Sequence, residues 1–245
     1  MTVGEAGGRA KELAENLAAL RVRLAAACDR AGRDVAEITV IAVTKTWPAS
    51  DVRLLADLGL TDIGENRDAE AAPKAAECAD LPLTWHFVGQ LQSRKCRSVV
   101  RYADFVHSVD RPHLVRVLAA EARKAGRVIT GLVQVNFDPE GGTSPPSGAP
   151  RGGIRPGGAV ALADEVASED SLRLGGVMAV APLGAPPREA FEKLAEIAAE
   201  VRARHPGATI ISAGMTGDLE EAIEAGATHV RIGTALLGAR RPFVR

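Results

Sequence analysis

The chain has 245 residues, a formal net charge of −1, and 46% hydrophobic against 25% charged residues, a balance that excludes a disordered chain and suits a globular one. Its basic residues are scattered through helical segments, so no nucleic-acid-binding stripe forms; the amino terminus lacks the apolar core of a secretion signal, and no window approaches the ~18 apolar residues of a membrane span. Cys28, Cys78 and Cys96 stand far apart with no C-x-x-C, which argues against a disulfide framework and a zinc site and makes a reducing cytoplasm the expected location.

An amphipathic helix is expected over about residues 9–31, with Leu13, Leu17, Leu20 and Leu24 on one face. Short apolar runs then alternate with segments of helical period. The runs are "ITVIAV", "LTDIG", "TWHFVG", "ADFVHSV", "VITGLVQVN", "LRLGGVMAV", "ATIISAG" and "HVRIG", and the helices between them begin near Ala49, Asp68, Ser93, Arg111, Gly158, Pro187, Asp218 and Thr234. Near-continuously apolar strands belong to a parallel sheet covered on both faces, with a helix as each crossover. Eight such units predict a single-domain (β/α)₈ TIM barrel with an extra N-terminal helix, the open doubly wound sheet being the alternative. One segment, 138–158, is rich in Gly, Pro and Ser and is expected to be a flexible loop insertion, either without chemical duty or acting as a flap over a site.

Active sites of such barrels are built where the strands end at their carboxyl edge. There the sequence places Lys45, then Gly64, Glu65 and Asn66, then Gly89 and Gln90, Asn136, Ser212 with Gly214, and finally Arg231 with Gly233. Two glycine-bearing turns, at Ser212 to Gly217 and at Gly233 to Thr234, let backbone N–H groups approach an anion, with Asp218 and Glu221 expected as the cap and reciprocal acid of the helix between them. Each turn alone is also ordinary turn chemistry; the pair, in the last two units, suits a phosphate. A strand-end lysine is commonly solvated, but one facing a phosphate site and flanked by apolar residues can attack an aldehyde. A ligand with both groups is pyridoxal 5′-phosphate (PLP). Arg231 could then reach the pyridine ring, or serve as a structural ion pair, and Asn66 could bond the ring's phenolic oxygen.

The motifs "AVTKTWP", "IGEN", "WHFVGQLQSRK", "HSVDR", "GGVMAV" and "SAGMTGDLEEAIEAGATHVRIGTALLGAR" resemble, in order, those of the pyridoxal phosphate homeostasis proteins, the YggS or PROSC type. The resemblance implies a barrel like the N-terminal domain of alanine racemase, with PLP held as a Schiff base on Lys45. It also implies a phosphate site of Ser212, Met215, Thr216, Gly233 and Thr234, Arg231 at the pyridine nitrogen, and Asn66 and His86 around the ring. Members of that family manage the vitamin B6 pool without an established catalytic activity. The chain departs from the pattern at Arg67, where an aromatic is usual, and at Gly217, where an acid is common. The rival reading is an amino-acid racemase, which needs a second proton donor, typically a tyrosine. The single tyrosine, Tyr102, precedes the fourth strand at the far end of the barrel, and the sequence stops after the last helix, with no further domain expected to supply a base. His86 and Cys96 are the substitutes, each with a plain alternative as a buried core residue. The expected protein is a monomeric carrier whose partners are PLP and apo enzymes that depend on it, with no nucleic acid, membrane or metal.

Overall fold

The structure, a computed structural model, describes residues 3–139 and 151–239. Helix α1 (Val3–Ala31) starts earlier than its leucine stripe suggests and stops at Gly32, whose φ of 64° lets the Arg33 amide turn back to the Cys28 carbonyl at 2.9 Å. Leu13, Leu17, Leu20, Leu24, Ala27 and Cys28 are all buried, so the expected face packs as the 3.6-residue period requires.

Among the described residues eight strands close into a parallel barrel in the order β1 to β8. They are β1 (Thr39–Val43), β2 (Asp62–Glu65), β3 (Thr84–Phe87), β4 (Phe105–Val109), β5 (Ile129–Val135), β6 (Leu172–Ala179), β7 (Ile210–Ser212) and β8 (His229–Ile232). Crossover helices α2 (Ala49–Asp57), α3 (Asp68–Glu77), α4 (Cys96–Val99), α5 (Pro112–Lys124), α6 (Ala159–Ala167), α7 (Pro187–Arg204) and α8 (Leu219–Glu224) surround it, and α9 (Thr234–Leu237) follows β8. The open-sheet alternative is excluded because β1 pairs with β8, Ile41 opposite Arg231 and Ala42 opposite Ile232. On its other side β1 pairs with β2, Val43 opposite Gly64. These registers bring the chain beyond β1, which starts with Thr44 and Lys45, between the ends of β2 and β8.

The core lies between the helices and the outer face of the barrel. Leu114, Leu118, Leu162, Phe191 and Leu194 fill one side, and α1 with Leu55, Leu219, Ile223 and Leu236 fills the other; each such buried side chain contributes about 2 kcal/mol. In β6 the "GG" pair has a local cause. The pairing with β5 shifts between Gly131 and Leu132, and Gly176 has φ 144° with its absent Cβ only 2.0 Å from the Ile210 carbonyl oxygen, so the bulge admits no side chain there.

Within the expected loop, residues 140–150 lie outside the described residues. In the residues that follow, Ile154 forms a parallel bridge with Val135, the Gln134 side-chain Nε2 donates to the Gly152 carbonyl at 2.8 Å, and Arg151 reaches the Ala181 carbonyl at 2.7 Å. A short 3₁₀ turn, Pro156–Gly158, then leads into α6. Glycine and proline content pointed to a loop here, and its backbone pairs with the end of β5.

Candidate functional site at the carboxyl end of the barrel

A cavity of about 400 Å³ opens at the carboxyl ends of the strands. Its wall is made by Val43 at the end of β1 with Lys45 and Trp47 after it, Asn66 after β2, Val88 and Gly89 after β3, Val180 after β6, Met215, Thr216 and Gly217 after β7, and Arg231, Gly233, Thr234 and Gly238 from the final unit. Nine of the residues singled out from the sequence therefore meet around one space: Lys45, Asn66, Gly89, Met215, Thr216, Gly217, Arg231, Gly233 and Thr234.

Lys45 sits half-buried in a tight turn closed by the Trp47 amide on the Thr44 carbonyl at 3.0 Å. The turn holds Thr46 at φ 70°, a left-handed conformation that costs a β-branched residue energy and is retained because neighbours hold it. Two contacts do so: the Thr46 amide donates to Glu70 at 2.9 Å, and Arg9 of α1 stacks over the Trp47 ring at 4.3 Å. Beneath the turn, Lys74 of α3 donates to the Thr44 carbonyl at 2.8 Å and to the buried Glu65 carboxylate. Glu65 was expected at the mouth; instead it points into the wall between β1 and α3, and its Oε2 has no hydrogen-bond partner among the described residues.

On the opposite side, the two turns are joined by the Ala235 amide, which donates to Thr216 Oγ1 at 3.2 Å. The amides of Thr216 and Gly217 make no hydrogen bond among the described residues. Arg23 of α1 donates to the Thr216 carbonyl at 3.1 Å and pairs with Glu220. Asp218 stands before α8 as expected but makes no cap: its Oδ1 accepts the Met215 amide at 2.6 Å, so the acid closes the turn and Glu221 has no reciprocal role. Burial raises the Asp218 carboxyl above its ordinary value, against the pull of that amide and of Arg231.

Arg231 is buried at the cavity floor. It donates from Nη1 to the Ser212 carbonyl and hydroxyl at 2.8 and 2.7 Å, and from Nη2 to the Ala179 carbonyl at 2.8 Å. All of these acceptors are neutral oxygens, so the ion-pair alternative does not hold among the described residues. Burial lowers its pKa to about 10, with Asp218 opposing, which leaves a charged guanidinium at neutral pH beside the cavity.

Ser212 and His86 do not line the cavity. Both are buried inside the barrel behind Arg231, because inward-facing residues of alternate strands stack in layers and those of β3 and β7 fall below the floor. His86 accepts or donates at Nδ1 to His107 Nε2 at 2.9 Å and at Nε2 to Asp62 at 3.0 Å, and stacks on Phe105. His107, which the sequence reading passed over, continues to Ser212 at 3.0 Å; the polar pair "HS" inside the otherwise apolar run of β4 was the available signal. Gly89 was noted only as a strand end, yet a Cβ there would lie 2.2 Å from the Asn66 carbonyl oxygen; this close approach sets where Asn66 sits.

The alternatives for acid chemistry lie outside the cavity. Tyr102 packs edge-on against Trp85, and burial together with Asp68 and Glu65 raises its phenol far above the ordinary value. Burial pushes the Cys96 thiol up to about 11, against Arg111. Cys28, Cys78 and Cys96 are all unpaired and buried. Among the described residues no helix is long and apolar enough to cross a membrane, and no cluster of His, Cys, Asp and Glu could hold a metal ion.

Comparison with known proteins adds three findings. Residues 15–241 match the family described as alanine racemase, N-terminal domain. The chain is 43% identical to a pyridoxal phosphate homeostasis protein of Pseudomonas aeruginosa, covering 93% of this chain and 96% of that one, and 40% identical to one of Mycobacterium tuberculosis, covering 95% of each. Among solved structures, that of PipY of Synechococcus elongatus with PLP bound superposes with a TM-score of 0.78 at 34% identity, over 92% of this chain and 100% of that one.

Proposed function

The chain belongs to the alanine racemase N-terminal domain family, and on that premise we propose that it binds PLP and serves the homeostasis of that cofactor, as the names of its relatives say of them. The observation that carries the reading is the convergence of Lys45, Asn66, Arg231 and both glycine turns on one cavity of about 400 Å³. The residues present fit the group. Asn66 Oδ1 is buried without a partner, the Thr216 and Gly217 amides are uncommitted among the described residues, and a buried guanidinium faces the space with no carboxylate bonded to it.

When bound, PLP would supply an aldehyde open to attack by an amine. Lys45 provides that amine, fixed in direction by the Thr46 turn. Thr216, Gly217, Gly233 and Thr234, with Met215 beside them, hold the phosphate through backbone N–H groups and hydroxyls. Arg231 would donate to the ring nitrogen, and Asn66 would bond the phenolic oxygen. Ser212 and His86 support Arg231 from behind.

The protein is proposed to be a carrier rather than a racemase. Among the described residues the lining contains no Tyr, His, Cys, Asp or Glu, so a proton donor facing Lys45 has no candidate there. A donating arginine at the ring nitrogen also opposes ring protonation and weakens the electron sink that carbanion chemistry needs. Three buried thiols suit a reducing cytoplasm. Apo enzymes that require PLP are the proposed recipients. Borohydride reduction of the PLP-loaded chain followed by peptide mass spectrometry tests the assignment: one pyridoxyl adduct on Lys45 is expected, and an adduct that persists in Lys45→Ala would refute it.

A further inference from the structure

Five polar side chains from five strands form one hydrogen-bonded row through the barrel interior. Asp62 opens β2 at the amino end, with its side chain 28% exposed. His86, His107 and Ser212 follow, all buried, and Arg231 ends the row at the cavity. The links measure 3.0 Å from Asp62 to His86, 2.9 Å from His86 to His107, 3.0 Å from His107 to Ser212 and 2.7 Å from Ser212 to Arg231.

Donor and acceptor chemistry gives this row a direction. A carboxylate only accepts, so His86 Nε2 carries a proton toward Asp62. A guanidinium only donates, so Ser212 Oγ accepts from Arg231. With both imidazoles neutral, His86 Nδ1 is bare and accepts from His107 Nε2–H, and His107 Nδ1 is bare and accepts the Ser212 hydroxyl proton. Every donor then has an acceptor. Reversing the inner links requires a proton on both nitrogens of His86 and turns His107 Nδ1–H onto Ser212, leaving the serine proton without a partner among the described residues. An orphaned buried donor is destabilising by about 1–3 kcal/mol. The surroundings also resist added charge: His107 is held well below its ordinary pKa by burial, then by His86, Arg231 and His229. His229, 6.5 Å from His86 between ring centres, is lowered in the same way, with Asp62 opposing.

We propose that Asp62, His86 and His107 are positioning residues for the cavity: the one-way row keeps the Ser212 hydroxyl turned as an acceptor toward Arg231, and so sets the aim of the guanidinium from the opposite mouth of the barrel. The effect on PLP rests on the function proposed above, while the direction of the row does not. Arg231 is thereby pinned at Ser212 and at the Ala179 carbonyl, and its remaining edge is presented to the cavity.

Imidazole nitrogen NMR on the full chain without cofactor decides the direction. His107 is expected to carry its proton on Nε2 at pH 7; a proton on His107 Nδ1 would overturn the row. Asp62→Ala removes the carboxylate acceptor at the more exposed end of the row. In that variant part of the His107 population is expected to move its proton to Nδ1, and PLP, followed by its visible absorption, is expected to leave about tenfold faster with a shifted band. His107→Gln is expected to do the same to release and band. Both variants keeping the wild-type band and release rate, with only the melting temperature lowered, would reduce the row to packing and sink the proposal. A wild-type chain that takes up no PLP counts against the cofactor reading alone, since the tautomers are read without it.

Discussion

The hydroxyl of Thr44 donates a 2.6 Å hydrogen bond to the buried carboxylate of Glu65, tying β1 to β2 one residue before Lys45. Lys74 completes the arrangement from α3 by bonding both the carboxylate and the Thr44 carbonyl. The aim of the cavity's amine thus depends on a charge pair that never reaches the cavity.

Lys74→Met leaves Glu65 buried without its counter-ion, and breaking a buried pair from one side is expected to lower stability by about 3 kcal/mol. Adding Glu65→Gln to that variant removes the stranded charge and is expected to recover most of the loss. Chemical denaturation of both variants checks this. Equal instability of the single and double variants would mean that packing, rather than charge, is what Lys74 supplies.

At Gly89, an alanine would place its Cβ 2.2 Å from the Asn66 carbonyl oxygen and 2.7 Å from its Cα. Backbone cannot yield as a side-chain tip can, so Gly89→Ala is expected to lower stability by about 2 kcal/mol and to move Asn66 out of place. PLP titration should show weaker binding, by about tenfold if one hydrogen bond to the ring is lost.

Thr46 at φ 70° invites the opposite experiment. Thr46→Gly relieves a left-handed β-branched residue and is expected to stabilise the fold by about 1 kcal/mol after the entropy of the new glycine is deducted. A calorimetric scan that shows a loss of stability instead would mean the threonine side chain supports the turn by more than its strain costs.

Acid should weaken the fold through its interior histidines. His229 has its pKa lowered to about 4 from an ordinary 6.5, chiefly by burial and then by His86, with Asp62 opposing. Below about 6.5 the unfolded chain binds a proton that the folded chain refuses, so stability falls as pH drops toward about 4, by about 3 kcal/mol in total, and levels off beneath. Asp62 adds a loss at lower pH still: burial alone would raise its carboxyl, but the hydrogen bond and charge of His86 hold it below its ordinary value. Urea unfolding at pH 7 and pH 4.5 should show the drop, and His229→Gln should flatten the part that histidine causes.

The sequence made the barrel and the cavity wall legible for a common reason. Strand-end residues such as Lys45, Asn66 and Thr234 are fixed in place by the topology once the strands are counted, because parallel strands in a closed barrel all finish on one side. His86 and Ser212 were misplaced by one layer, since a strand's alternation says which residues point inward but not how deep each lies. The Glu65–Lys74 pair was hidden for a different reason: a glutamate at a strand end reads the same whether it faces solvent or a lysine nine positions on. The return segment 151–158 shows that glycine and proline report permitted backbone conformations, while its pairing with β5 is decided by tertiary contacts that composition does not carry.

Helix α1 touches both walls of the cavity at a distance: Arg9 covers Trp47, Asn16 bonds the Leu236 carbonyl at 2.9 Å, and Arg23 holds the Thr216 carbonyl. Its docking surface, α8 and α9, is the last part of the barrel to leave the ribosome. Helix α1 must therefore wait for segments made after the strands it serves, and the nascent barrel cannot grip a ligand until α8 and α9 have emerged.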